Sequence, residues 1–183
     1  MVDLDMFSEP EEVRRLLKEL EDVSKLPPEE VFAYLIELSE AILSLYIVIR
    51  DSLPRGYGRV KFSRFVEKKR RQVENMHYLA REIYPEVRPE KKVKFSTSFS
   101  IETVGDYLKA LRNAVYLESL SLRAFRYLAK FSAERLLFND LAGEIENNIK
   151  ELREEIGKVE SIEEKLRLSE FIKELVGDRD GRV

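Results

Sequence analysis

The 183-residue chain contains no Cys, no Trp and one His, His77, which excludes disulfides, thiolate metal sites, cysteine nucleophiles and any centre needing two imidazoles. Charged residues make up 37% of it and the net charge is −3, yet Asp51 to Lys94 holds thirteen Lys and Arg against six Asp and Glu. The remainder is therefore strongly acidic. Such a basic middle either meets an acidic partner or is a solvated helix face.

The length suits a single domain spanning 1–183, and 44% apolar residues supply its core. No apolar run is read as long enough to span a membrane. Acids in Met1 to Pro10 do not fit a secretory signal, so a cytoplasmic protein is expected. The abundance of Glu, Lys and Arg with only seven Gly resembles the surface ion-pair chemistry of thermophile proteins.

In chain order, a leading helix is predicted over about 9–25, behind Ser8-Glu-Pro-Glu11. Pro27-Pro28-Glu29-Glu30 opens the first long helix, and Pro54-Arg55-Gly56 closes it. Its stripe is Phe32, Leu35, Ile36, Ile42, Leu43, Tyr46 and Ile49. A second helix runs from about Phe62 to Tyr84, with Phe62, Phe65, Val66, Val73, His77, Ala80 and Tyr84 on one side and Pro85 as its stop. Glu86 to Ile101 reads as a connection, although Val93, Phe95, Thr97 and Phe99 alternate as in a strand. A third helix follows Ser100, with Val104, Leu108, Leu111, Val115, Glu118, Leu122 and Phe125 in its stripe. The fourth covers about Ala133 to Val159, and a separate tail helix over 162–176 follows the capping-box pattern Ser161-Ile-Glu-Glu164. Gly177 to Val183 reads as a frayed end. The expected fold is all-α: a four-helix bundle over about 28–157, with one long crossover between two tight hairpins and short flanking helices.

Polar residues inside these stripes are the candidate site. Glu74-Asn-Met-His77 puts a carboxylate and an imidazole one turn apart on one face, a spacing that can grip a metal ion. Glu118 interrupts an apolar stripe, where a carboxylate is costly unless paired or metal-bound. The equivalent central positions of the first and fourth helices are Ser39, and Ile145 with Asn148.

Over about Pro28 to Glu155 the chain resembles the rubrerythrin-like branch of the ferritin-like superfamily. The resemblance rests on Ala33-Tyr-Leu-Ile-Glu-Leu-Ser-Glu40 with Tyr46, on Arg112 to Ala129 with Glu118 and Phe125, and on Leu141-Ala-Gly-Glu-Ile-Glu-Asn-Asn148-Ile-Lys-Glu-Leu152. In that family one Glu comes from each of the first and third helices and a Glu-x-x-His from each of the other two. Carried over position by position, Glu74, His77 and Glu118 persist as ligands, whereas Ser39, Ile145 and Asn148 stand where ligands are lost. Glu144 would replace Ile145 only through a register shift that turns Leu141 and Leu152 out of the stripe.

An intact di-iron centre is therefore not expected. One reading has Glu74, His77 and Glu118 holding a single divalent ion, Fe, Mn or Zn. The other has no metal, the carboxylates being neutralised by Arg70, one turn before Glu74, or by protonated His77. The resemblance thus implies a non-catalytic structural or partner-binding protein, with a rubrerythrin-type metal-dependent oxidoreductase as the alternative.

Arg55-Gly-Tyr-Gly-Arg-Val-Lys-Phe62 matches an RNA-binding strand pattern at seven of eight positions, with Leu45 to Arg50 resembling its companion strand. Only Asp51 to Pro54 separates the two, where that fold needs a helix and a strand. Nucleic acid is not expected as a partner, beyond a basic patch around Lys68, Lys69 and Arg71. Leu16, Leu17 and Leu20 in the leading helix, and Phe171, Ile172 and Leu175 in the tail, form further apolar stripes. They either pack on the bundle itself or make a homodimer.

Overall fold

The computed structural model describes residues 4–7, 10–86 and 99–177, and is all-helical. Its elements are α1 (Pro10–Glu21), α2 (Pro28–Ser52), α3 (Tyr57–Ile83), α4 (Val104–Phe131) and α5 (Arg135–Gly177), with single 3-10 turns at Leu4–Met6 and Val23–Lys25. No strand occurs among the described residues. Val93, Phe95 and Thr97 lie outside them, and Phe99 packs half-buried against the core.

α2 starts where Pro28, with φ already helical and no N–H to satisfy, follows the extended Pro27. It ends before Pro54. By length and composition α2 could cross a membrane, contrary to the sequence reading. In this fold it is the central helix, and its apolar residues are buried among α1, α3 and α4.

α3 begins at Tyr57, about five residues earlier than the spacing predicts, because Gly56 caps it with φ 149° and ψ −158°. Only glycine adopts that backbone readily. α4 is capped by Thr103, whose hydroxyl accepts from the Asp106 N–H at 3.1 Å while the Asp106 carboxylate accepts from the Thr103 N–H at 2.9 Å. In contrast, Ser161 does not cap anything. The fourth and tail helices are one continuous α5 of 43 residues. Nothing in Gly157 to Glu164 stops a helix outright, and a lone exposed glycine costs only about 1 kcal/mol.

α2 and α3 form one antiparallel hairpin and α4 and α5 another, joined chiefly by α2 against α4. The Phe62 ring lies 6.2 Å from Tyr107, near the starts of α3 and α4. At the other end, Tyr84 stacks 5.6 Å from Phe32 and its hydroxyl reaches Ser132. α3 and α4 therefore run the same way, and the end of α3 lies at the opposite end of the bundle from the start of α4. α1 buries Val13, Leu16, Leu17 and Leu20 across α2 and α4. Arg123 and Tyr127 of α4 hold the α1–α2 connection by donating to the carbonyls of Glu21 and Leu26.

Aromatic residues fill both ends of the core, Phe32, Tyr84, Phe125 and Phe138 at one and Tyr46, Phe62, Phe65 and Tyr107 at the other. The polar residues of the site lie between. Gly56→Ala is expected to destabilise the fold by about 1–3 kcal/mol through strain alone, read from denaturant titration; a loss below a few tenths would show that the turn relaxes.

Candidate functional site

The interior face of α3 follows a three-and-four step through Phe62, Val66, Lys69, Val73, Met76 and Ala80. That periodicity carries Lys69 into the centre of the core, fully buried opposite Glu118 of α4, which is also fully buried. The Lys69 ammonium donates to both carboxylate oxygens, at 2.8 and 2.9 Å, and to Oε1 of Gln72 at 2.8 Å. Its three protons are thus matched to three acceptors. Tyr46 of α2 donates its hydroxyl to Glu118 Oε1 at 2.6 Å. Three helices meet in one hydrogen-bonded cluster.

Burial pulls the Lys69 pKa below its ordinary value, and the facing Glu118 charge opposes that pull. The Tyr46 hydroxyl is pushed well above its ordinary value by burial first and by Glu118 second. Below pH 10 it is therefore a donor to Glu118.

The structure separates the predicted ligands. Glu74 is exposed on the outer side of α3, five residues and about 140° of helical turn from Lys69. His77 is half-buried on the flank of α3, where Nε2 lies 2.8 Å from Glu40 Oε1. Glu118 is in the interior with the cluster. Among the described residues, no group of three or more His, Asp or Glu is placed to hold a metal.

Arg70 is exposed; the cation that meets Glu118 is its neighbour Lys69. Ser39 and Ile145 are fully buried and Asn148 nearly so. The pair with the expected one-turn spacing on the inner face of α3 is Lys69 and Gln72, rather than Glu74 and His77. A signal for it was present. Lys68 to Arg71 covers every side of the helix in four residues, so one of these cations had to face inward, and the heptad-like step selects Lys69.

A second cluster repeats this chemistry nearer the start of α3. Lys61 and Glu155 are buried and paired at 2.9 Å, and Tyr107 donates to Glu155 at 3.2 Å. Burial and Glu155 raise the Tyr107 pKa strongly. In both clusters the lysine comes from α3 and the carboxylate from the α4–α5 hairpin. Lys68 and Glu151 add an exposed pair of the same polarity. The basic patch foreseen around Lys68, Lys69 and Arg71 loses its middle member to the core.

No protein-family model matches the chain, and no curated protein does. Among solved structures, a hypothetical protein from Pyrococcus furiosus is similar, with TM-score 0.70 and 15% identity over 78% of this chain and 96% of that one. At that identity the likeness concerns the fold.

Lys69→Met should cost about 3–5 kcal/mol, because it strands a buried carboxylate. Lys69→Met with Glu118→Leu should recover most of that loss, and denaturant titration of both variants decides whether the charge or the shape matters. The pH dependence follows from the sign of the Tyr46 shift. Its folded pKa lies above the unfolded value near 10, so its contribution is complete below pH 10 and is lost as pH rises toward the folded pKa. Tyr46→Phe should accordingly flatten the fall of stability measured above pH 10; an unchanged slope would exclude Tyr46 as its source.

Proposed function

We propose that this chain is a ferritin-like bundle whose central metal position has been given over to an internal ion pair, and that it works by association, two copies pairing through the projecting half of α5. The parallel run of α3 and α4, each in its own antiparallel hairpin, supports the ferritin-like reading. So do the mid-helix polar positions Ser39, Glu118 and Asn148. Both oxygens of Glu118 already accept from Lys69, and one also accepts from Tyr46. A metal ion there would sit against an ammonium group, so these residues do not fit a di-iron centre.

The observation that carries the proposal is the surface of α5. At about 65 Å it outruns α2, α3 and α4, which are roughly 38–42 Å long. Beyond Val159 it exposes Ile162, Leu166, Leu168, Phe171 and Ile172, each more than half accessible. α1 buries its own stripe, but this stretch meets no described residue that covers it. Fully covering one such side chain contributes about 1.5–3 kcal/mol.

Charge selects a second copy as the occupant. Lys150 and Arg153, on the bundle half of α5, line a shallow groove of about 560 Å³ with Leu122, Ile149, Glu154 and Glu146, the last already paired with Arg126. Neither makes an ion pair within the described residues, and neither do Glu164, Glu170 and Glu174 on the projecting half. Two α5 helices laid antiparallel put the acids of each copy beside the cations of the other. A single two-fold axis then satisfies both sets.

Sedimentation over a range of concentrations should show a dimer, and Leu166→Asp with Phe171→Asp should give a monomer of unchanged helicity. Reversing Lys150 and Arg153 to Glu should weaken the dimer, and reversing Glu170 and Glu174 to Lys as well should restore it. A wild-type monomer at millimolar concentration overturns the association reading. Protein grown with iron should not reach two equivalents per chain; two equivalents with an oxo-bridge absorption would overturn the ion-pair reading.

A further inference from the structure

We propose that the groove between α3 and α5 is a binding site for a small oxyanion, a carboxylate or phosphate group, whose innermost contact is the side-chain amide of Gln72. Gln72 is 4% exposed and its Oε1 accepts from Lys69. An ammonium group only donates, so the amide orientation is fixed with its oxygen toward Lys69 and its NH₂ turned away. That Nε2 has no hydrogen-bond partner among the described residues. Leaving a buried donor unmatched is costly in a core where Lys69, Glu118 and Tyr46 are all satisfied.

Gln72 lines a groove of about 300 Å³, at the lower end of ligand-site size. Every residue along it is polar. Asn75 from α3 and Asn147 and Asn148 from α5 add three more carboxamides, of which Asn148 is buried. None of these three amides has a hydrogen-bond partner within the described residues. Lys68 and Arg71 stand on the α3 rim. Their ion pairs with Glu151 and Glu67 are exposed and worth little, so both cations can turn to a ligand at small cost. Glu144 is the one carboxylate on the groove and opposes an anion there.

The NH₂ of Gln72, three further carboxamides able to turn their NH₂ groups inward, and two cations form a donor set along the groove. The matching ligand is one whose edge consists of acceptors. A bound oxyanion completes the hydrogen bonding of Gln72 and, through its amide, polarises the bond to Lys69. The groove is thereby coupled to the central ion pair by one side chain.

The test is titration of the full-length protein with inorganic phosphate and, separately, with malonate, following the side-chain NH₂ resonances of Gln72 and Asn148. Saturable shifts at both, with dissociation constants on the order of 1 mM, are expected. Gln72→Glu keeps an acceptor for Lys69 but replaces the NH₂ by oxygen, and should weaken binding by at least about tenfold. Glu144→Gln should tighten it several-fold. Asn148→Asp serves as a second donor-to-acceptor variant should Gln72→Glu disturb folding, with loss of binding again expected. Shifts that never saturate, or binding equal in wild type and in both donor variants, would overturn the site.

Discussion

The arrangement of the helices depends on one buried ion pair. Lys69 and Glu118 come from different hairpins and are both sealed from water, so each charge needs the other to avoid a desolvation cost of several kcal/mol. A slip of α3 by one residue would turn Lys69 out of the core and bring Arg70 toward it, with a longer, planar head group in a space shaped for an ammonium. The pair therefore sets register. Tyr46 adds α2 to the same constraint, since its hydroxyl has Glu118 as its acceptor.

The aromatic clusters on either side explain why polar groups are tolerated there. Phe62, Phe65 and Tyr107 on one side and Phe32, Phe125 and Phe138 on the other bury large apolar areas. Their burial carries the stability of the fold, while the lysine clusters specify which helices meet and at what height. Lys61, Glu155 and Tyr107 apply the same logic near the start of α3. Two anchor points along one helix exclude both sliding and rotation.

Much of this was legible in the sequence. The four amphipathic stretches, the turn at Pro54 to Gly56 and the long connection after Pro85 follow from periodicity and from Pro and Gly placement. Helix ends were less legible: the capping pattern at Ser161 suggests a new helix, but a cap requires the preceding helix to stop, and nothing there stops it. Glu118 stands out because a lone carboxylate in an apolar stripe needs a partner. Its partner was hidden by composition. Lys68 to Arg71 reads as a solvated basic run, and only the phase of the apolar residues around it shows that one member points inward. Glu74 and His77 form a familiar spacing, but the spacing alone does not say which side of the helix faces the core. The exposure of the apolar residues on the projecting half of α5 depends on where the bundle ends, which is a property of the other helices.

The charge asymmetry along the chain acquires a meaning from this architecture. The α2–α3 hairpin supplies Lys61, Lys68 and Lys69, and the α4–α5 hairpin supplies Glu155, Glu151 and Glu118. Each half, by itself, is left with a cation or an anion on the very face that must become interior. Each half therefore finds the partners for that face in the other, the α2–α3 hairpin bringing the cations and the α4–α5 hairpin the carboxylates. Opposite potentials on the two faces favour their meeting, and Lys69 with Glu118 fixes where they meet.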